Sequence, residues 1–298
     1  YALCDIQTNS QNVAIGTETL KKTIADNNTA VGYISLRCNT TGADNTAVGL
    51  CSLTANTTGC RNVSVGKGSL VSNTIGQQNT SLGFASMGDN TEGEFNTAIG
   101  SASLADNTTA DCNIAVGYNS LRKNTTGQPN VAVGTFSAAC NTTGASNTAI
   151  GFCSLHANTT GSQNTSAGYQ ALRNNTTGCR NIAIGYNSLV LNTTGCCNVS
   201  IGRAAMDANI DGDFNTAVGN SALSENTTAD GNTAIGYLAM NSTTTGGYNT
   251  TLGLCALHGN TDCSFNVAVG GYALKSNDAS ENTALGYIAL CDNTTGTN

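Results

Sequence analysis

The densest set of potential ligands is Asp207-x-Asn209-x-Asp211-Gly212-Asp213-x-Asn215, which has the oxygen-donor spacing of a calcium loop. Side-chain oxygens on alternate residues, with a glycine at the tight turn, suit a hard cation. Asp207, Asn209, Asp211 and Asp213 are therefore candidate calcium ligands. The related stretch from Asp89 to Asn96 has Gly88 where the first aspartate would stand and keeps only Glu92 and Glu94. Acidic decoration of a surface turn, with no cofactor, is the competing reading.

Thirteen cysteines supply the next candidates, and none forms a C-x-x-C pair. Their odd number leaves at least one free or paired between chains. Cys179 and Cys196 are 17 residues apart, one sequence period, which on adjacent rungs of a coil puts them about 5 Å apart and within disulfide range. Cys38 with Cys51 recurs as Cys140 with Cys153 at the same 13-residue spacing. Disulfides in an oxidising setting fit these spacings better than a metal site, and buried reduced thiols are the alternative. Asn-Thr-Thr tripeptides at Asn39, Asn56, Asn107, Asn124, Asn141, Asn158, Asn175, Asn192, Asn226 and Asn293 match the N-glycosylation sequon. They would carry sugar in a secretory host, unless the repeat itself demands Asn and Thr there. His156 and His258, the two histidines, sit six periods apart, roughly 29 Å along a stack of rungs, and cannot share an active site. No nucleophile elbow, phosphate loop or paired-carboxylate cleft is apparent, so no enzyme is expected.

The frame that must position these groups is a 17-residue period. Seventeen copies of Asn-(Thr/Val/Ile)-(Ala/Ser)-(Val/Ile/Leu)-Gly, departing from it only at Ala167 and Thr251, run from Asn12 to Gly286, with only the first and last intervals shortened to 16. Numbering the repeat from its Asn makes that glycine the fifth position. Self-similarity of this kind predicts an all-β parallel β-solenoid of about 17 rungs with 17 residues per coil, roughly 80 Å long at 4.8 Å per rung. The first-position Asn predicts an asparagine ladder, and the second to fourth positions predict a short strand. A second strand and turn is expected at Asn-Thr-Thr-Gly. Alternation places the second and fourth side chains on one face and the small third residue on the other. The fourth position and the Leu or Met at the ninth, such as Leu53 and Met87, are expected to form the core, and the Ala or Ser at the eighth suggests close approach of backbone or a neighbouring chain. Tyr and Phe recur at the sixth, as in Tyr33, Phe84 and Tyr186, as glycan platforms or edge cover.

Without a composition shift or linker, residues 1–298 read as a single solenoid domain. An internal duplication is superimposed: Cys60-Arg61-Asn62 recurs as Cys179-Arg180-Asn181, 119 residues later, which sets residues 60–178 beside 179–297. The net charge of −7 and the lack of any Lys/Arg cluster argue against nucleic acid. No apolar run reaches the roughly 20 residues of a membrane span. Tyr1 and Asn298 both fall within a repeat, as expected of a processed product or a slice of a longer chain.

Val13-Ala14-Ile15-Gly16, Ala149-Ile150-Gly151 with Ser154, and Ala183-Ile184-Gly185 with Ser188 resemble the head repeats of YadA-type trimeric autotransporter adhesins. The longer unit from Asn147 to Gly161 is similar to shaft repeats of phage and giant-virus tail-fibre-like proteins. Over essentially the whole chain, that resemblance implies a left-handed β-roll, a homotrimer, and an extracellular, cell-surface or virion-surface fibre. A 17-residue period longer than the adhesin repeat, and thirteen cysteines, depart from the family pattern, so no adhesive target is carried over. The leading expectation is a structural or adhesive fibre shaft whose partners are itself and a host-surface receptor or glycan. Two alternatives stand beside it. One is an end-to-end filament subunit, since Cys4 and Cys291 are in phase; the other is an ice-binding solenoid, although Thr40 and Thr41 point to opposite faces and Glu92, Asp211 and Asp262 interrupt the threonine row.

Overall fold

A computed structural model describes residues 11–294 and 296, so Cys4 lies outside the described residues. Regular structure among them consists of three-residue strands alone, in keeping with a sequence that places Gly or Asn every few residues. The chain divides into two compact units, residues 1–147 and 148–298. In the first, β1 (Val13–Ile15), β2 (Thr29–Val31), β3 (Thr46–Val48), β4 (Val63–Val65), β5 (Thr80–Leu82), β6 (Thr97–Ile99), β7 (Ile114–Val116) and β8 (Val131–Val133) each pair in parallel with the next. The second repeats the arrangement with β9 (Thr148–Ile150), β10 (Thr165–Ala167), β11 (Ile182–Ile184), β12 (Val199–Ile201), β13 (Thr216–Val218), β14 (Thr233–Ile235), β15 (Thr250–Leu252), β16 (Val267–Val269) and β17 (Thr283–Leu285). Register advances one coil at a time, so that Ser64 lies beside Ser81 and Ala183 beside Ser200. The fold is the parallel β-solenoid that the period predicts.

Each strand ends at the fifth-position glycine. At Gly49, φ is +136°, and its N–H donates to the Val31 carbonyl of the preceding coil at 2.8 Å. A Cβ there would lie 2.6 Å from the Gly66 carbonyl oxygen. Three further positions turn the chain through left-handed backbone, in most coils without glycine. In the coil containing β3 they are Cys51 (φ 57°), Leu53 (51°) and Arg61 (58°). Such backbone costs an ordinary residue about 1–2 kcal/mol. Hydrogen bonds between coils hold it: the Leu53 N–H donates forward to Ser69 O, and those of Cys51 and Arg61 donate back to Tyr33 O and Ala43 O.

The interior corrects the expected core. Ala47, Ala98 and Ala183 at the third position are fully buried, as are the ninth-position Leu53, Leu104 and Leu189. Fourth-position side chains point outward instead, with Ile150 46% and Leu252 50% exposed. Alternation holds, but its inside is the small-residue face. A coil this narrow has room for one Leu per rung, packed against Ala or Ser from the strand and from the eighth position. The small eighth residue therefore serves contact within the coil. Ser52, Ser64, Ser69, Ser81 and Ser86, all fully buried, show the consequence, because their hydroxyls bond one another in sequence across three coils.

Two rows of asparagine close the coil. At the first position, Asn45 Oδ1 accepts the Asn62 backbone N–H at 3.0 Å, while Asn62 Nδ2 donates to Gly76 O at 2.9 Å and to Asn45 Oδ1 at 3.2 Å. A second ladder, of amides alone, runs through the twelfth position. Asn56 Nδ2 donates to Asn39 Oδ1 at 2.8 Å, Asn73 to Asn56 at 2.9 Å and Asn90 to Asn73 at 2.8 Å. The Asn-Thr-Thr-Gly segment is accordingly a stacked turn and not the second strand expected. Thr74 O accepts the N–H groups of both Thr57 (2.8 Å) and Thr58 (3.3 Å) from the coil before.

This ladder breaks at Thr243, which leaves Asn226 Oδ1 buried without a donor. Replacing Thr243 by Asn should resupply that donor and, by analogy with Asn226 and Ala229 O (3.2 Å), reach Gly246 O. We expect T243N to raise unfolding stability by about 1 kcal/mol, the net worth of one satisfied buried hydrogen bond. An unchanged or lower urea midpoint would contradict the ladder's energetic role.

Candidate functional site

The four candidate calcium ligands do not converge. Asn209 is fully buried, and its amide is committed to the ladder, donating to Asn192 Oδ1 at 2.8 Å and Gly212 O at 3.2 Å and accepting from Asn226 at 2.6 Å. Asp211 is exposed. Asp213 Oδ1 accepts the Cys196 N–H at 2.6 Å. Asp207 is half-buried, and burial pushes its carboxyl above the usual range. The repeat explains this scatter: Asn209 is a twelfth-position residue aimed inward, whereas a calcium loop needs all of its oxygens on one side. Among the described residues, no group of three or more His, Cys, Asp or Glu side chains is arranged to hold a metal ion.

Nine of the sequon asparagines, from Asn39 to Asn226, are fully buried twelfth-position ladder members. Asn175 is typical: Nδ2 donates to Asn158 Oδ1 at 2.8 Å and to Gly178 O at 2.9 Å. The coil leaves no room for a glycan on these amides. Only Asn293, the tenth, is partly exposed. The motif is present because the ladder needs Asn and the stacked turn needs threonine, whose hydroxyl bonds the next coil, as Thr57 Oγ1 does to Thr74 O at 3.0 Å.

Among the cysteines, Cys38, Cys51, Cys140 and Cys153 are free thiols. The thirteen-residue spacing joins an eleventh position to a seventh, so neither pair shares a row of the coil. Cys179 and Cys196 do share one, with sulfurs 2.9 Å apart. Burial, reinforced by the hydrogen bond with the Cys179 thiol, pushes the Cys196 thiol up to about 11. Both belong to the sixteenth position, whose role the sequence did not disclose: its side chain accepts the N–H of its counterpart one coil earlier. Asp111 does so for Glu94 (2.7 Å), Asp230 for Asp213 (2.6 Å) and Ser264 for Gly247 (3.0 Å).

His156 and His258 are half-buried on coils six apart. Phe152, Tyr169 and Tyr186 stack along the sixth-position row, with centroids 5.3 and 5.1 Å apart and interplanar angles of 14° and 7°. Arg203 extends the row 6.0 Å from the Tyr186 centroid. Each ring thus spends part of its face on the next one. An open depression of about 320 Å³ is lined by Asp111, Cys112, Gln128 and Pro129. The second and fourth positions of the strands form an outward face in each unit. Ile99, Ile114 and Val133 are 37%, 42% and 36% exposed in the first unit, and Ile184 and Ile201 are 40% and 37% exposed in the second. No protein-family model matches the chain, and no curated protein or solved structure gives a significant match.

Proposed function

We propose that this chain is a structural repeat element, the shaft of an extracellular or virion-surface fibre, and that copies of it associate laterally as a homotrimer. The outward strand face carries the reading. Nine rungs at about 4.8 Å with strands about 10 Å long give β9–β17 a face of roughly 400 Å², on which an outward aliphatic row at the fourth position runs beside a second-position row that is mostly threonine. Within it, Ile150, Ile184, Ile201, Ile235 and Leu252 stand in one row, with Ile182 and Val267 in the row beside it. A second copy carries the same repeat, so rung-matched association would cover the row along its length. The role is mechanical, with inter-coil hydrogen bonds bearing load and no catalytic chemistry. Any receptor or glycan contact would gain strength from repetition of one weak site.

Light scattering of the intact chain tests the reading, with a discrete mass near three chains as the expected result. The double variant I184D/I201D should convert that mass to one chain with its circular dichroism unchanged, because both side chains leave the coil. An open-ended mass distribution would favour the end-to-end filament. A second reading, ice binding, is favoured by one observation: Thr216, Thr233 and Thr250 occupy consecutive second positions on the same outward face. A wild-type monomer that shows thermal hysteresis would replace the fibre by this reading.

A further inference from the structure

Cys179 and Cys196 are the sixteenth residues of consecutive coils in the second unit. The strands that follow them pair Ile182 with Val199, so the cysteines keep the same register of 17 residues. In-register residues on neighbouring parallel rungs stand about 4.8 Å apart, inside the Cα separation that a disulfide spans. Their sulfurs already touch at 2.9 Å, and both thiols are free and half-buried. The geometry suits bond formation, and the upward-shifted Cys196 thiol must lose its proton before its sulfur can attack. The Cys179 N–H donates to Cys196 Sγ at 3.0 Å, and a disulfide sulfur still accepts weakly. Cys196 N–H is held independently by Asp213 Oδ1 at 2.6 Å.

We propose that Cys179 and Cys196 close an intrachain disulfide that ties two successive coils, with a small-molecule disulfide as the oxidant. One cysteine thiolate attacks the oxidant's S–S bond, forming a mixed disulfide and expelling the first half of the oxidant as a thiolate. The other cysteine thiolate then attacks the protein sulfur of that mixed disulfide and expels the second half. Two thiol protons and two electrons leave the protein, and the oxidant ends as two thiols. Cys197 provides an internal control. It follows Cys196 directly, and its N–H donates to Cys179 O at 2.9 Å, yet the sulfur contact is between Cys179 and Cys196.

The test is to incubate the full chain with oxidised glutathione, alkylate remaining thiols, denature, and digest with trypsin without reduction. Cleavage after Arg173, Arg180 and Arg203 places Cys179 in one peptide and Cys196 with Cys197 in another. The expected product joins these two peptides and is lighter than their sum by two hydrogens. It should persist in Cys197→Ser and vanish in Cys179→Ser and in Cys196→Ser. Both of the latter variants should keep the coil, because serine fills the same row at Ser264. Complete alkylation of both thiols after oxidation, a lasting glutathione adduct, or a link that survives Cys196→Ser and disappears in Cys197→Ser would each overturn the proposal.

Discussion

Replacing Gly49 by Ala should destabilise the first unit by about 4 kcal/mol or more, a severe loss for a single methyl group. Two effects combine. The φ of +136° is backbone that an L residue rarely adopts, and the added Cβ would lie 2.6 Å from Gly66 O and 2.8 Å from Gly66 C. Backbone of the adjoining coil cannot yield as a flexible side chain would, since the Gly66 N–H is itself bonded to Val48 O at 2.8 Å. The control lies on the next coil. Gly68 has φ +67°, and a Cβ there meets nothing within 4 Å. Its replacement by Ala should cost only the left-handed penalty, about 1 kcal/mol, like that already accepted at Cys51 and Ala85 in the same seventh position. Urea unfolding of G49A and G68A separates the two costs. Equal midpoints would mean that contact between coils does not select this glycine.

The period, the strand at the second to fourth positions and the glycine that ends it were legible in the sequence because each recurs on the same residue types. Which strand face lies inside was not. Threonine, valine and isoleucine at the second and fourth positions look more like core than alanine does, and only the cross-section of the coil decides against them. Val65 and Leu82 cannot fit where Leu70 and Met87 already fill their respective rungs. The left-handed seventh position was hidden for another reason. Left-handed backbone is usually signalled by Gly or Asn, and here those signals are sparse, at Gly68, Asn119 and Asn187 in the seventh position, amid Cys, Ile and Phe.

The candidate site shows the same divide. Cys179 with Cys196 was legible because 17 residues equals one coil, so sequence spacing converts directly to a contact. Cys38 with Cys51 was not, because thirteen residues cross between rows whose relative placement depends on the turns. The calcium motif misled because its Asn209 and Gly212 are already required by the repeat, and the repeat turns the amide inward. A sequon within a structural repeat misleads in the same way. Asn39-Thr40-Thr41 is a ladder residue followed by a stacked turn, and the accessibility that a glycan needs was never encoded in the tripeptide.

Asn175→Asp should be nearly as damaging as the glycine change, and its pH dependence identifies the cause. The amide donates to Asn158 Oδ1 at 2.8 Å and to Gly178 O at 2.9 Å, and it accepts from Asn192 Nδ2 at 2.8 Å. N175D keeps the acceptor but turns both donor contacts into opposed oxygens in a fully buried site. The expected loss is about 4 kcal/mol at pH 7. Burial and the facing oxygens hold the introduced carboxyl's folded pKa above its unfolded value of about 3.9. The folded state therefore binds the proton more tightly, so the deficit is greatest above the folded pKa and shrinks as pH falls through it. Protonation also restores one O–H donor. The gap between N175D and wild type in urea should accordingly be much smaller at pH 4 than at pH 7. Asn175→Thr should cost only about 1–2 kcal/mol at either pH, because Thr243 fills the same row and bonds Asn260 O at 3.0 Å. A pH-independent gap for N175D would mean that packing volume, and not the polarity of the amide chain, holds the coils in register.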